Sequence, residues 1–324
     1  MTLRRLGRTS IEITPIGLGC MQFAGRGIVA RQFYPATGED VVRDTVRAAL
    51  DGGVNWFDTA EMYGRGASEQ ALTSALRSLG REPGSVRIAT KWAPMLRSAG
   101  NIVRTADARL GALQGYPIDL HQIHMPFGGI SPLRAQVEAM ARLCAEGKIG
   151  AVGVSNFSAA QLELAARVLR EKGIELASNQ VQINLLHREV ERNGVLDAAR
   201  RLGVTLIAYS PLASGVLTGK FHDDPAKVRA LARGRRLLGA YRPAALRRSA
   251  PLIAELAAIA AAHGTSVAQV ALSWLISFYG DSVVAIPGAS RPGQAQQSAA
   301  AMELRLTDKE LDTLDVTSAR AVLS

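Results

Sequence analysis

Short apolar runs alternate with longer amphipathic stretches along most of the chain. Runs at 16–19, 55–58, 86–90, 120–124, 149–155, 178–183, 204–209 and 282–287 have the length and composition of strands. Each is followed by a helical pattern. After the first, Val42, Val46, Ala49 and Leu50 recur on one helical face, and Gly52 and Gly53 supply a stop. After the fifth, Ser158 and Gln161 form a capping-box pattern, and Leu162, Ala165, Ala166 and Leu169 share a face. Residues 194–202 fit a shorter helix ending at Gly203, 251–279 a helix broken at Gly264, and 307–316 a last helix. Strand and helix in strict alternation predict a parallel sheet, and eight such units predict a (β/α)8 TIM barrel, a single domain over residues 1–324.

Two segments break the rhythm. At 3–14, two strand-like runs flank Gly7-Arg8-Thr9, which predicts an N-terminal β-hairpin. The interval 219–250, after the seventh strand, is weakly periodic and predicts a long loop of the kind that usually carries function.

The composition, 48% hydrophobic and 20% charged, is enough to bury a sizeable core. No apolar run follows the two arginines near Met1, and no stretch reaches the length of a membrane span, so a cytoplasmic protein without membrane partners is expected. Cys20 and Cys144 provide neither a disulfide framework nor metal-ligand spacing. The net charge of +10 is unevenly placed: Lys227, Arg229, Arg233, Arg235, Arg236, Arg242, Arg247 and Arg248 crowd the long loop with no acid among them. No aromatic interleaving or nucleic-acid motif accompanies them, so the cluster suits a small phosphorylated ligand or a solvated surface better than a polynucleotide.

In an α/β barrel the active site lies at the carboxyl ends of the strands. Asp58 ends the second strand, Tyr63 follows it, Lys91 ends the third and His124 the fourth. Strand residues alternate faces, which places His124 with Gln122 on one face and His121 on the other, so His124 is the site candidate and His121 packs or caps outside. Cys20, at the end of the first strand, reads as a small core residue.

These segments resemble a known family. Phe57-Asp-Thr-Ala-Glu-Met-Tyr-Gly64, Ala89-Thr-Lys-Trp92 and Gln122-Ile-His-Met-Pro126 look like the catalytic segments of aldo-keto reductases. Gly153-Val-Ser-Asn-Phe157, Asn179-Gln180, Ala208-Tyr-Ser-Pro-Leu-Ala-Ser-Gly215 with Leu217-Thr-Gly-Lys220, and Ile286-Pro-Gly-Ala-Ser-Arg-Pro292 resemble that family's cofactor segments. The match runs in order over nearly the whole chain. It implies NADPH-dependent reduction of a small-molecule aldehyde or ketone without a metal: Tyr63 protonates the developing alkoxide, Lys91 stabilises the phenolate, Asp58 holds Lys91, and His124 orients the carbonyl. By the same resemblance Ser155, Asn156 and Gln180 hold the nicotinamide carboxamide, Tyr209 stacks on the ring, and Ser210, Leu212, Gly215 and Lys220 follow the pyrophosphate. Gly288, Ser290, Arg291 and Gln294 meet the 2′-phosphate and ribose.

Where the family usually presents Glu and Asn to the adenine, this chain has Gln297 and Ser298. No GxGxxG follows a first strand, which disfavours a Rossmann domain. Met21, Trp92 and Met125 are expected to line an apolar substrate pocket or to serve in ordinary packing. The same fold also hosts NADPH-binding regulatory or sensor subunits, and a barrel lysine such as Lys91 can form the Schiff base of an aldolase. The sequence assigns no oligomeric state.

Overall fold

The computed structural model describes residues 2–25, 37–237 and 239–323. A two-stranded antiparallel hairpin, β1 (Arg4–Arg5) and β2 (Glu12–Ile13), precedes eight parallel strands. These are β3 (Leu18–Gly19), β4 (Trp56–Asp58), β5 (Arg87–Trp92), β6 (Leu120–Ile123), β7 (Ala151–Ser155), β8 (Leu176–Gln182), β9 (Thr205–Tyr209) and β10 (Val283–Ala285). Each pairs with its sequence neighbour. The sheet then closes on itself: Ile16 bridges Ala285, Gly19 bridges Gly288, and the Gly17 and Ala285 amides donate to Ala285 and Pro15 carbonyls, both at 2.9 Å. With a helix after each strand, the result is a (β/α)8 barrel with an N-terminal hairpin.

Strand alternation fills its interior in layers. Trp56, Ala89, Leu120, Ala151, Ala177, Ile207, Val284 and Ile286 form an apolar cluster with Leu6 and Ile13 of the hairpin, which plugs the amino-terminal end. Trp56 fits because residue 17 is glycine, where a Cβ would come within 2.3 Å of the indole, and its Nε1 donates to the Thr14 carbonyl at 2.9 Å. Two residues further along β4, β5 and β6 the same inner face carries Asp58, Lys91 and Gln122. A polar layer therefore sits directly on the apolar one at the carboxyl end.

The outer helices follow the sequence closely. Helix α1 (Glu39–Asp51) buries Val42, Val46 and Ala49, and α2 (Ala67–Ser78), α3 (Ala99–Ala112) and α4 (Leu133–Ala145) follow the next three strands. Helix α5 (Ala159–Arg170) starts with the expected Ser158–Gln161 capping box, and α6 (Val195–Leu202) stops at Gly203 in the left-handed conformation.

The interval after β9 is more ordered than a loop. It holds three single-turn helices, α7 (Lys220–Asp223), α8 (Ala226–Arg229) and α9 (Arg233–Arg236), then α10 (Pro243–Ala262). Helix α10 begins eight residues before the expected start at 251, because Pro243 occupies its first turn, where a missing N–H costs nothing. It then runs through Pro251 on the strength of a buried face of Leu246, Leu252, Ile253, Leu256 and Ile259. Helices α11 (Val267–Phe278), α12 (Pro292–Ala300) and α13 (Asp308–Leu323) complete the ring.

His121 sits on the outer face of β6, opposite to His124 as alternation requires. It is 1% exposed, and neither ring nitrogen has a hydrogen-bond partner among the described residues. Burial, reinforced by the nearby Arg109 charge, lowers its pKa to about 3. Unfolding therefore takes up a proton at His121 between about pH 3 and the ordinary histidine value near 6.5, and stability falls as pH drops through that window. Between pH 7 and pH 5 this one side chain is expected to cost about 2 kcal/mol. Denaturant unfolding of wild type and His121→Leu at the two pH values checks it: the variant should lose that much less, and parallel losses would refute the assignment.

Candidate active site

The polar layer at the carboxyl end is built around one ammonium. Lys91 Nζ donates to Asp58 Oδ1 at 2.5 Å and to the Thr59 carbonyl at 2.8 Å, and the two charged side chains are 0% and 2% exposed. Gln180 Nε2 donates to Asp58 Oδ2 at 2.8 Å and Gln122 Nε2 to the same oxygen at 3.2 Å, so both carboxylate oxygens have donors. Burial lowers the Lys91 pKa, but Asp58 and the Tyr63 phenol raise it by more, and the net shift is upward. Lys91 keeps its proton at neutral pH.

Tyr63 stands over this pair. Its ring centroid is 5.2 Å from Lys91 Nζ, and its ring meets that of His124 edge-on at 5.8 Å. Burial raises the phenol pKa above its ordinary value while Lys91 pulls it down. His124 is lowered to about 3 by burial and by the Lys91 charge, so the imidazole is neutral above pH 5. A neutral hydrogen-bonding ring, a phenol and a buried cation thus converge where a carbonyl oxygen can be bound and protonated.

A cavity of about 1500 Å³ opens over the cluster, larger than the usual small-molecule site. At the catalytic end Asp58, Tyr63, His124, Met21 and Met125 line it, while Lys91 lies beneath, fully buried. From there the wall runs through Ser155, Asn156, Gln180 and Tyr209 to Ser210, Leu212, Gly215 and Lys220, and ends at Gly288, Ser290, Arg291, Gln294, Gln297 and Ser298. Hydrogen bonds tie the first part together: Ser155 Oγ donates to the Gln180 carbonyl at 2.9 Å, Asn156 Nδ2 to Ser155 Oγ at 3.0 Å, and the Tyr209 hydroxyl to Asn156 Oδ1 at 3.1 Å.

The far end of the cavity is cationic. Lys220, Arg235 and Arg291 all line it, and burial lowers the Lys220 pKa, with the charges of Arg235, Arg291 and Lys227 lowering it further. Arg235 donates to the Ser214 carbonyl at 2.6 Å and the Tyr241 hydroxyl at 2.8 Å. The backbone beneath is contorted, with Ser210, Ala213 and Ser214 at φ of 49°, 47° and 56°, a strain proteins keep mainly where a site requires it. Arg291 caps helix α12, whose first residue is Pro292. Arg291 stands at a helix start, and among the described residues Asp58 is the one carboxylate side chain lining the cavity, an electrostatic setting that favours an anion at this end.

Comparison with known proteins agrees with this arrangement. The family model for the aldo/keto reductase family matches residues 15–319. The chain belongs to that family. It is 39% identical to an uncharacterized oxidoreductase of Mycobacterium tuberculosis over 305 residues, covering 94% of this chain and 88% of that one. Among solved structures it superposes on the glycerol dehydrogenase of Gluconobacter oxydans with a TM-score of 0.83 and 28% identity, over 99% of this chain and 96% of that one. It also superposes on an aldo-keto reductase from Klebsiella pneumoniae in complex with NADPH, with a TM-score of 0.74 and 27% identity, over 97% and 95% of the two chains. This aldo-keto reductase is therefore an oxidoreductase.

One expected pocket residue lies elsewhere. Trp92 is fully buried away from the cavity, with Nε1 donating to Asn101 Oδ1 at 3.0 Å and the Arg97 guanidinium 5.2 Å from its ring. Lys91 faces inward, so its neighbour must face the helices. Cys20 is buried as expected, yet it also reaches the cavity wall. Two contributors were not singled out from sequence. Gln122 serves as a second donor to Asp58, and its place on the inner face beside His124 was the available signal. Arg65 lines the cavity two residues after Tyr63. Among the described residues no His, Cys, Asp or Glu cluster could hold a metal.

Proposed function

We propose that this aldo-keto reductase reduces aldehydes or ketones to alcohols with NADPH, with Tyr63 as the proton donor. The observation that carries the reading is the Lys91 ammonium, held by Asp58 below and 5.2 Å from the Tyr63 ring above. An ordinary phenol, with a pKa of about 10, is a poor acid at neutral pH, and a fixed cation beside it stabilises the phenolate left when it gives up its proton. His124, neutral and aimed into the same space, donates a hydrogen bond that orients the carbonyl oxygen without competing as an acid. Asp58 keeps the ammonium from being delivered to the reacting oxygen.

The cavity suits the dinucleotide. NADPH would supply the hydride. Ser155, Asn156 and Gln180 would hold its carboxamide, where Gln180 has committed Nε2 to Asp58 and offers Oε1 as acceptor. Tyr209 offers a ring face, and Ser210, Leu212 and Gly215 lie where the pyrophosphate would run, beneath Lys220 and Arg235. Arg291 and Ser290 precede the first turn of helix α12, where a guanidinium and free backbone N–H groups together favour a 2′-phosphate. Gln294 Oε1 already accepts from the Ser290 amide and hydroxyl, which fixes that turn. Gln297 and Ser298 complete the wall for the adenine.

Tyr63→Phe is expected to retain NADPH binding and to lower turnover by at least ~10²-fold, the usual scale for a lost general acid; steady-state NADPH oxidation with a panel of aldehydes measures it, and near-normal turnover would exclude Tyr63 as donor. Arg291→Ala should weaken NADPH on the order of ten- to a hundredfold while sparing NADH. Dissociation constants for both cofactors at fixed salt decide this, since equal losses would mean that Arg291 does not read the 2′-phosphate.

A further inference from the structure

Among the described residues, the Tyr63 end of the cavity carries one charge that the proposed reaction does not use. Arg65 lines the wall, exposed, two residues after Tyr63. Among the described residues it has no ion pair and no hydrogen bond, whereas the arginines nearby are committed: Arg97 to Glu61 and Arg109 to Glu69. Arg65 lies on the segment after β4, beside Tyr63, whereas Lys220, Arg235 and Arg291 lie on segments after β9 and β10. Among the described residues, the one carboxylate lining the cavity, Asp58, is matched by Lys91.

The backbone at Arg65 makes a chance placement of this side chain costly. Gly64, Arg65 and Gly66 have φ of 68°, 57° and 93°, three successive left-handed residues. Gly64 has no alternative, since a Cβ there would come within 2.1 Å of the Ala24 carbonyl oxygen. At position 65 the conformation favours glycine, asparagine or aspartate over a long side chain. Arginine holds the position against that preference.

Around it the mouth is apolar. Met21, Met62, Met125 and Phe127 line the same end of the cavity, and Phe127 is 67% exposed and Met62 47%. Methionines adapt to varied apolar shapes, and their exposure leaves apolar area for a ligand to cover. Among the described residues this is one unmatched guanidinium beside an apolar wall, a setting that selects a single negative charge on an apolar body.

We infer that the carbonyl substrates of this protein carry a carboxylate, which Arg65 binds while Met21, Met62, Met125 and Phe127 take the apolar body. The inference rests on the reductase reading and names its substrate class. Arg65 is a specificity residue, and one planar guanidinium pairs with one carboxylate through two hydrogen bonds.

The test compares 4-carboxybenzaldehyde with its neutral methyl ester, similar in shape; the ester withdraws more electron density from the formyl group, so intrinsic reactivity favours the ester and not the acid. Wild type should favour the acid by about tenfold or more in kcat/KM, expressed chiefly in KM. Arg65→Met should bring the acid-to-ester ratio to one or below, Arg65→Lys should keep part of it, and added salt should lower it. A ratio near one in wild type, or one unchanged in Arg65→Met, would overturn the inference. Turnover of neither aldehyde would count against the reductase reading itself, and a binding measurement then decides on Arg65. Calorimetric titration of the NADP⁺-loaded protein with 4-biphenylcarboxylate and 4-biphenylcarboxamide should show tighter carboxylate binding that Arg65→Met removes. Equal affinities for the two would overturn the inference whether or not the protein turns over.

Discussion

The Lys91–Asp58 ion pair is the constraint around which this barrel is arranged. Two opposite charges lie inside a closed sheet with almost no access to solvent, where each ion would cost several kcal/mol if left unsupported. The surroundings meet that cost with specific atoms: the Thr59 carbonyl takes a second proton of the ammonium, and Gln122 and Gln180 satisfy the far carboxylate oxygen. All of these side chains project from inner-face positions, so barrel closure through Ile16–Ala285 and Gly19–Gly288 is what brings them together. The apolar layer below, with Trp56 packed against Gly17 and the hairpin at the base, supports the pair and excludes water from it.

From this pair the polar network runs outward along one wall. Asp58 fixes Gln180, the Gln180 backbone takes the Ser155 hydroxyl, Ser155 takes Asn156, and Asn156 takes Tyr209. The same carboxylate that holds the buried lysine therefore also orients the wall formed by Ser155, Asn156 and Tyr209. At the opposite end the cavity changes character: Lys220, Arg235 and Arg291 repel one another, and an anion bound among them relieves that repulsion. A cavity with a cationic cluster at the end far from the Lys91–Asp58 pair is suited to a long ligand with an anionic group there and its reactive group over the pair.

Much of this was legible in the sequence, for identifiable reasons. Each strand carries a short apolar run, and β4, β5 and β6 have a polar residue at or beside their ends, so the strand-end positions of Asp58, Lys91 and His124 are readable from the sequence. Alternation separated His124 from His121, and the same rule, applied one residue further along β5, turns Trp92 away from the cavity to face Asn101. What escaped was set by tertiary packing. Pro251 reads as a helix start, but the buried face of α10 holds the helix through it from Pro243. The Ser266–Gln269 capping box of α11 was present in the sequence without being separated from the longer helical stretch around it. Gln122 and Arg65 carry no pattern of their own, because their significance comes from the carboxylate and the cavity that the fold brings beside them.

In the proposed reaction Lys91 acts through Tyr63. The direct measurement is the single-turnover rate of NADPH oxidation, at saturating cofactor and aldehyde, in Lys91→Met, Tyr63→Phe and the double variant. If the ammonium works by stabilising the phenolate, the double variant is no slower than Tyr63→Phe alone, because removing the phenol removes what the lysine acts upon. If the two losses multiply instead, Lys91 acts independently of Tyr63 and the claim is contradicted.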